Sequence, residues 1–169
     1  MVSPRPCRVP VLALAAFALL ATGSQAQVKP GSLFPALSLA GAAPATSGKV
    51  VVVDFWASWC APCKASFPAY SRLQAEFAEQ GLVIVGVSVD DSPSDYSAFV
   101  GKLKPTFATL RDSGHKLVVA VAVPTMPTSY IIDRSGRVRF MHPGYHGEQT
   151  ERELAGEIKL LLNEPSPPQ

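Results

Sequence analysis

The stretch "VVVDFWASWCAPCKASFP", residues 51–68, constrains the fold more than any other. An unbroken β-branched and aromatic run leads into two cysteines two residues apart, and apolar residues at helical spacing begin directly after them. A strand apolar on both faces belongs in the middle of a sheet that is covered on both sides. The sequence predicts such a strand from Lys49 to Ala57. From Ala61 to Glu79 the stripe Phe67, Tyr70, Leu73 and Phe77 predicts a helix, kinked at Pro68, which lacks a backbone donor, and stopped by Gly81.

The pattern then alternates. "GLVIVGVSVD" predicts a second buried strand, and "SPSDYSAFVGKL" a second helix with Pro93 in its first turn. Strand, helix, strand implies a right-handed crossover and a parallel sheet. "TFATLRD" suits a short strand, whereas "GHKLVVAVAV" fits strand and helix equally. "TSYIIDRSGRVRFMHPG" predicts an antiparallel hairpin turning at Arg134 to Gly136, and Glu148 to Leu162 a closing amphipathic helix. A length of 169 residues with 47% hydrophobic content suits one domain with a core.

Both ends read differently from the middle. "MVSPRPCRVP" carries Arg5 and Arg8, and "VLALAAFALLA" after it is shorter than the roughly 20 apolar residues a membrane span needs. With "SQA" before Gln27, residues 1–26 are expected to be a secretory signal peptide cleaved after Ala26, an uncleaved amino-terminal anchor being the alternative. No cysteine follows at lipoprotein spacing, so no lipid is expected. Residues 27–163 form the expected domain, and residues 164–169 a disordered tail.

Cleavage changes two tallies. Cys7 is lost, leaving Cys60 and Cys63 as the remaining thiols, so any disulfide is theirs. Of 15 basic and 13 acidic residues, Arg5 and Arg8 are lost, leaving 13 of each. Near-neutrality argues against a nucleic-acid partner. The one tight basic cluster, Lys102 and Lys104, suits a solvated helix end.

Three uses of the cysteine pair can be weighed. Cys60, Cys63, His142 and His146 formally make a zinc pattern, but the pairs stand 79 residues apart (142 minus 63) against about 12–15 in a compact finger, so no metal is expected. As a staple, a bridge closing so short a loop removes little chain entropy. Chemistry fits best: a cysteine in the first turn of a helix faces unpaired N–H groups and the positive end of the helix dipole, which favour the thiolate. Cys60 is thus the expected nucleophile. Cys63, one turn on, is the expected resolving thiol, and Pro62 suits a first turn. His115 reads as a surface residue at a helix start, and His142 and His146 as loop residues bordering the site.

"VDFWASWCAPCK" resembles the active-site segment of the thioredoxin superfamily, and "MPTSYIIDRSGRV" its second signature, the cis-proline loop and the hairpin strand after it. With the signal, the amino-terminal extension "PGSLFPALSLAG" and extra strand and helix material between Val89 and Pro124, the chain is similar to the TlpA/ResA-like thiol–disulfide oxidoreductases. The resemblance runs from about residue 29 to residue 162. It implies an α/β, thioredoxin-like three-layer sandwich: a central mixed sheet flanked by helices, with the extension and a central strand-helix insertion. It further implies that Pro127 is the cis-proline beside the disulfide, that Met126 touches the substrate chain, and that Trp59 flanks the nucleophile. No cofactor is implied. Partners would be protein thiol or disulfide clients in a bacterial periplasm, met by a monomer, with a membrane-embedded thiol donor of the DsbD or CcdA kind if the protein is a reductase.

Two departures sharpen this reading. Many relatives carry Glu three residues after the second cysteine, where this chain has Ser66, which removes a ground for carrying over a role in cytochrome c maturation. Asp54 instead stands in the strand where thioredoxin has a buried acid; desolvation would raise its pKa and suit it to relay a proton to or from Cys63. Ala61 and Pro62 bring no charge to the turn between the cysteines, which points to a reductase or interchange protein rather than a strong oxidant. A peroxiredoxin would need Thr where Ala57 stands, and a copper metallochaperone of related fold uses C-x3-C. A redox-silent binding module would keep the fold and a sealed disulfide; insulin reduction by the dithiol form separates it from an enzyme.

Overall fold

The structure, a computed structural model, describes residues 27–166 apart from residues 38 and 40–42. The expected signal peptide, residues 1–26, and residues 167–169 of the expected tail lie outside the described residues. Strand β1 (Val50–Trp56) is buried at every position, as its two-sided apolar sequence requires. It pairs parallel with β2 (Leu82–Ser88) and antiparallel with β4 (Thr128–Ile132). β3 (Ala108–Arg111) extends the sheet beyond β2 and β5 (Val138–Pro143) beyond β4, giving the order β3-β2-β1-β4-β5.

Alternation along the strands sorts side chains into two cores. On one face Val50, Val52 and Trp56 pack with Ile84 and Ile131 beneath three helices: α1 (Ala61–Phe77), α2 (Pro93–Leu103) and α4 (Glu148–Asn163). On the other, Val51, Val53 and Phe55 meet Tyr130, Ile132 and the short helix α3 (Lys116–Val121), with Val28 and Phe34 of the amino-terminal segment. That segment is stitched down by Val28 N–H to Val121 O (3.1 Å) and Gly31 N–H to Val138 O (2.8 Å). Three layers result, with the expected extension and with α2, β3 and α3 between β2 and β4.

"GHKLVVAVAV", ambiguous by pattern, is helical for a local reason. The buried Asp112 carboxylate accepts the N–H groups of Lys116, Leu117 and Val118 at 3.1, 2.9 and 2.9 Å, satisfying the orphan donors of a first turn in a β-prone segment. The hairpin turn is held likewise: Asp133 Oδ1 accepts from Ser135 N–H and Arg137 N–H, and Gly136 takes φ 81°. Glu164, where the expected tail begins, pairs with Arg139 at 2.7 and 2.9 Å.

Candidate active site

The turn between β1 and α1 is fixed at both ends before either cysteine is reached. Upstream, the Trp56 ring stacks on Phe99 at 4.6 Å and meets Phe67 edge-on at 5.0 Å. Gly86 on β2 makes room: a Cβ there would lie 2.9 Å from Trp56 Nε1 and 3.1 Å from the Phe107 ring. Within the turn, Ser58 N–H donates to both oxygens of Asp90 at 3.0 and 3.2 Å and Ser58 Oγ donates at 2.8 Å, while Ser88 Oγ donates to the second oxygen at 2.7 Å. A buried carboxylate with three donor groups holds the loop rigidly to the end of β2.

Cys60 then caps α1, with Pro62 in the first turn, and is joined to Cys63 in a disulfide. Cys63 N–H donates to Cys60 Sγ at 3.2 Å, so this sulfur faces the helix N-terminus, where a negative charge is favoured. Cys60 keeps 5% exposure and Cys63 none, whereas Trp59 beside them is 72% exposed.

Beneath α1 lies Asp54, fully buried on β1. Tyr70 Oη and Ser129 Oγ donate to its Oδ1 at 3.0 and 2.9 Å and touch each other, while Oδ2 has no protein partner. Burial pushes the Asp54 carboxyl up to about 7, against the opposing pull of the Ser129 and Tyr70 hydrogen bonds. Burial and the Asp54 charge hold the Tyr70 phenol well above its ordinary value. Cys63, Phe67 and Tyr70 lie on one inward stripe of α1, spaced i, i+4 and i+7, and Tyr70 reaches this carboxyl. Ser66, where many relatives carry Glu, is buried with its hydroxyl turned back to Cys63 O at 2.8 Å.

Strand register brings the remaining expected residues to the same end of the sheet. Asp54 lies opposite Ser129 and Phe55 opposite Thr128, so Pro127 follows on level with Trp56, where the cysteine turn departs. The Met126–Pro127 bond is cis, Gly144 N–H donates to Pro127 O at 2.7 Å, and half-buried Met126 packs against both cores. The histidines are engaged elsewhere. His142, expected in a loop, is in β5, where strand pairing extends through Pro143, and its Nε2 lies 2.6 Å from Glu157 Oε2; His115 Nε2 lies 3.0 Å from Val89 O. Among the described residues no group of three or more His, Cys, Asp or Glu side chains could hold a metal ion.

Sequence reading placed the cysteines, Asp54 and the proline but missed Tyr70 and Ser129 around Asp54, and Ser58, Ser88 and Asp90. Tyr70 carried a usable signal: a tyrosine in an otherwise apolar inward stripe needs a partner for its hydroxyl.

A five-stranded mixed sheet between helices, with a cysteine pair capping the first helix and a cis-proline at the facing strand end, defines a protein of thioredoxin-like fold. The model of the AhpC/TSA family matches residues 37–141, and the chain belongs to that family. Over 114 residues it is 32% identical to the thiol-disulfide oxidoreductase ResA of Bacillus anthracis, covering 68% of this chain and 64% of that one. Over 116 residues it is 34% identical to the thioredoxin-like protein YneN of Bacillus subtilis (strain 168), covering 67% and 65%. The chain thus spans just under two thirds of the length of these relatives. Among solved structures, that of a Chlorobium tepidum protein provisionally designated thiol:disulfide interchange protein DsbE superposes with a TM-score of 0.76 and 31% identity, over 81% of this chain and all of that one.

Proposed function

We propose that the protein is a periplasmic thiol–disulfide oxidoreductase that reduces or interchanges disulfides of client proteins through Cys60 and Cys63. The observation that carries this reading is the Cys60–Cys63 disulfide at the start of α1, with the sulfur of the more exposed cysteine accepting the Cys63 N–H. In the reduced protein the helix N-terminus favours the Cys60 thiolate, which attacks a client disulfide and forms a mixed disulfide. Cys63 then gives its proton to Asp54 and attacks Cys60 Sγ; the Cys60–Cys63 bond forms and the client leaves as a thiol. Trp59 and the Met126–Pro127 segment are the proposed client contacts, supported by the exposure of Trp59 and by the register that levels Pro127 with the cysteine turn.

Location, partners and direction extend the same reading. The signal expected in residues 1–26 supports export to the periplasm, and among the described residues no helix is long and apolar enough to cross a membrane. The uncharged pair Ala61 and Pro62 supports the reducing direction, which in an oxidising compartment calls for a membrane thiol donor of the DsbD or CcdA kind. The domain acts as a monomer spanning residues 27–163.

Trapping tests the roles. Cys63→Ala is expected to accumulate mixed disulfides with clients in cells, and Cys60→Ala none. Equal trapping by the two variants, or alkylation of Cys63 ahead of Cys60 in the reduced protein, contradicts the assignment.

A further inference from the structure

We propose that Asp54, Tyr70 and Ser129 form a closed ring of hydrogen bonds that takes up the Cys63 proton, with Tyr70 and Ser129 as positioning residues that set the pH at which Asp54 accepts it. The proposal rests on the reading of Cys60 and Cys63 as a redox pair.

Counting protons carries the inference. Three oxygens, Asp54 Oδ1, Tyr70 Oη and Ser129 Oγ, are mutually within hydrogen-bond reach. Each of the three contacts needs one hydrogen between its oxygens. The two hydroxyls bring two, and an ionised carboxylate brings none, so one contact would set two oxygens together with no proton between them. A proton on Oδ1 is the third, and then each oxygen donates once and accepts once. The three oxygens therefore hold either form: two donated hydrogen bonds steady the carboxylate against the cost of burial, and a third proton closes the ring once Asp54 is neutral.

The resolving step fills the ring. In the mixed disulfide, Cys63 S–H passes its proton to Asp54 Oδ1, and the thiolate attacks Cys60 Sγ. The Cys60–Cys63 bond forms as the bond from Cys60 to the client sulfur breaks; the electron pair departs on the client sulfur, which takes a proton from solvent. The client disulfide is thereby reduced to two thiols and the protein's dithiol oxidised to a disulfide. In the disulfide form seen here the three oxygens are in mutual contact.

The surroundings leave this pair of hydroxyls in control. On α1, Cys63 and Tyr70 share the inward stripe and Tyr70 meets Asp54; β2 brings only Gly86 opposite it, and β4 brings Ser129. One strand further, His142 stands opposite Ser129 but is held by Glu157 and Glu153 of α4, and Tyr145, near enough to act on Tyr70, shares the Arg72–Glu151 pair at the rim. Among the described residues no lysine or arginine bonds Asp54.

Two measurements on the full chain test the proposal: the carboxyl titration of Asp54 by 13C NMR in the oxidised form, and the pH dependence of the resolving step in single turnovers of the reduced form with oxidised glutathione. Both midpoints are expected near the Asp54 value of about 7. Tyr70→Phe and Ser129→Ala each remove a donor from the carboxylate and should move both midpoints up by about one pH unit, slowing the step about tenfold at pH 6 and leaving the alkaline plateau unchanged. Ser129→Thr, which keeps the hydroxyl, should retain the wild-type midpoints. If the NMR midpoint stays put in both Tyr70→Phe and Ser129→Ala, the ring is overturned, even where Asp54→Asn abolishes the pH step and so upholds the relay. An Asp54→Asn variant with a wild-type profile overturns relay and ring together. Failure of trapping by Cys63→Ala with the NMR midpoints shifted as expected would strike the redox reading and leave the ring as a buried proton site.

Discussion

Asp54 on β1 and Asp90 just beyond the end of the neighbouring β2 are two buried acids, and the fold treats them in opposite ways. Asp90, 3% exposed, receives Ser58 N–H, Ser58 Oγ–H and Ser88 Oγ–H across both its oxygens. Asp54, with no exposure, receives two hydroxyls on one oxygen and nothing from the protein on the other. A carboxyl group with donors on both oxygens is held in place and serves as an anchor, here for the turn that carries Trp59 and Cys60. A carboxyl short of donors is costly to ionise and so exchanges a proton near neutral pH. Position in the chain predicts neither role; the donor count does.

The largest expected consequence is in the pH dependence of stability. Asp54 rises from 3.8 unfolded to about 7 folded, so the folded protein holds a proton that the unfolded chain has already lost between those values. Its contribution is fully present below about pH 4 and disappears as pH rises through 7, a loss on the order of 4 kcal/mol at about 1.36 kcal/mol per unit. Relative to Asp54→Asn, the oxidised wild-type protein should therefore lose about that much between pH 4 and pH 8 in denaturant unfolding. Curves that run parallel would remove the contrast between the two acids.

Substitution of Asp90 should have a smaller effect, and a destabilising one. Asp90→Ala strands the Ser58 amide and two hydroxyls and should cost about 3 kcal/mol at pH 7. Asp90→Asn should recover part of that through its carbonyl. A cost below about 1 kcal/mol for Asp90→Ala would mean that the donors find water readily and that the turn is not anchored there.

How much of this was legible follows from sequence distance. The β1 and α1 elements and the cysteine chemistry lie within one continuous stretch, and local pattern suffices for them. The hairpin strand that follows Pro127 was legible for the same reason. Helix α3 was not, because Asp112, whose carboxylate caps it, lies outside the apolar run that periodicity reads. Asp54 could be singled out as an acid in a buried strand, but Ser129 is 75 residues away and meets it only through the β1–β4 register. Ser58 and Asp90, 32 residues apart, meet only through the β1–β2 pairing. Such partners become visible when strand register is known, since each serine is unremarkable in isolation.

The reduction potential of the Cys60–Cys63 pair tests most directly whether the protein is a reductase. On the scale where thioredoxin lies at about −270 mV and DsbA at about −120 mV, an active-site turn with no charge at Ala61 or Pro62 should leave the potential below about −200 mV. Equilibration of the full chain with glutathione measures it. A value below about −200 mV supports transfer of electrons to client disulfides, and one above about −160 mV would make the protein an oxidant.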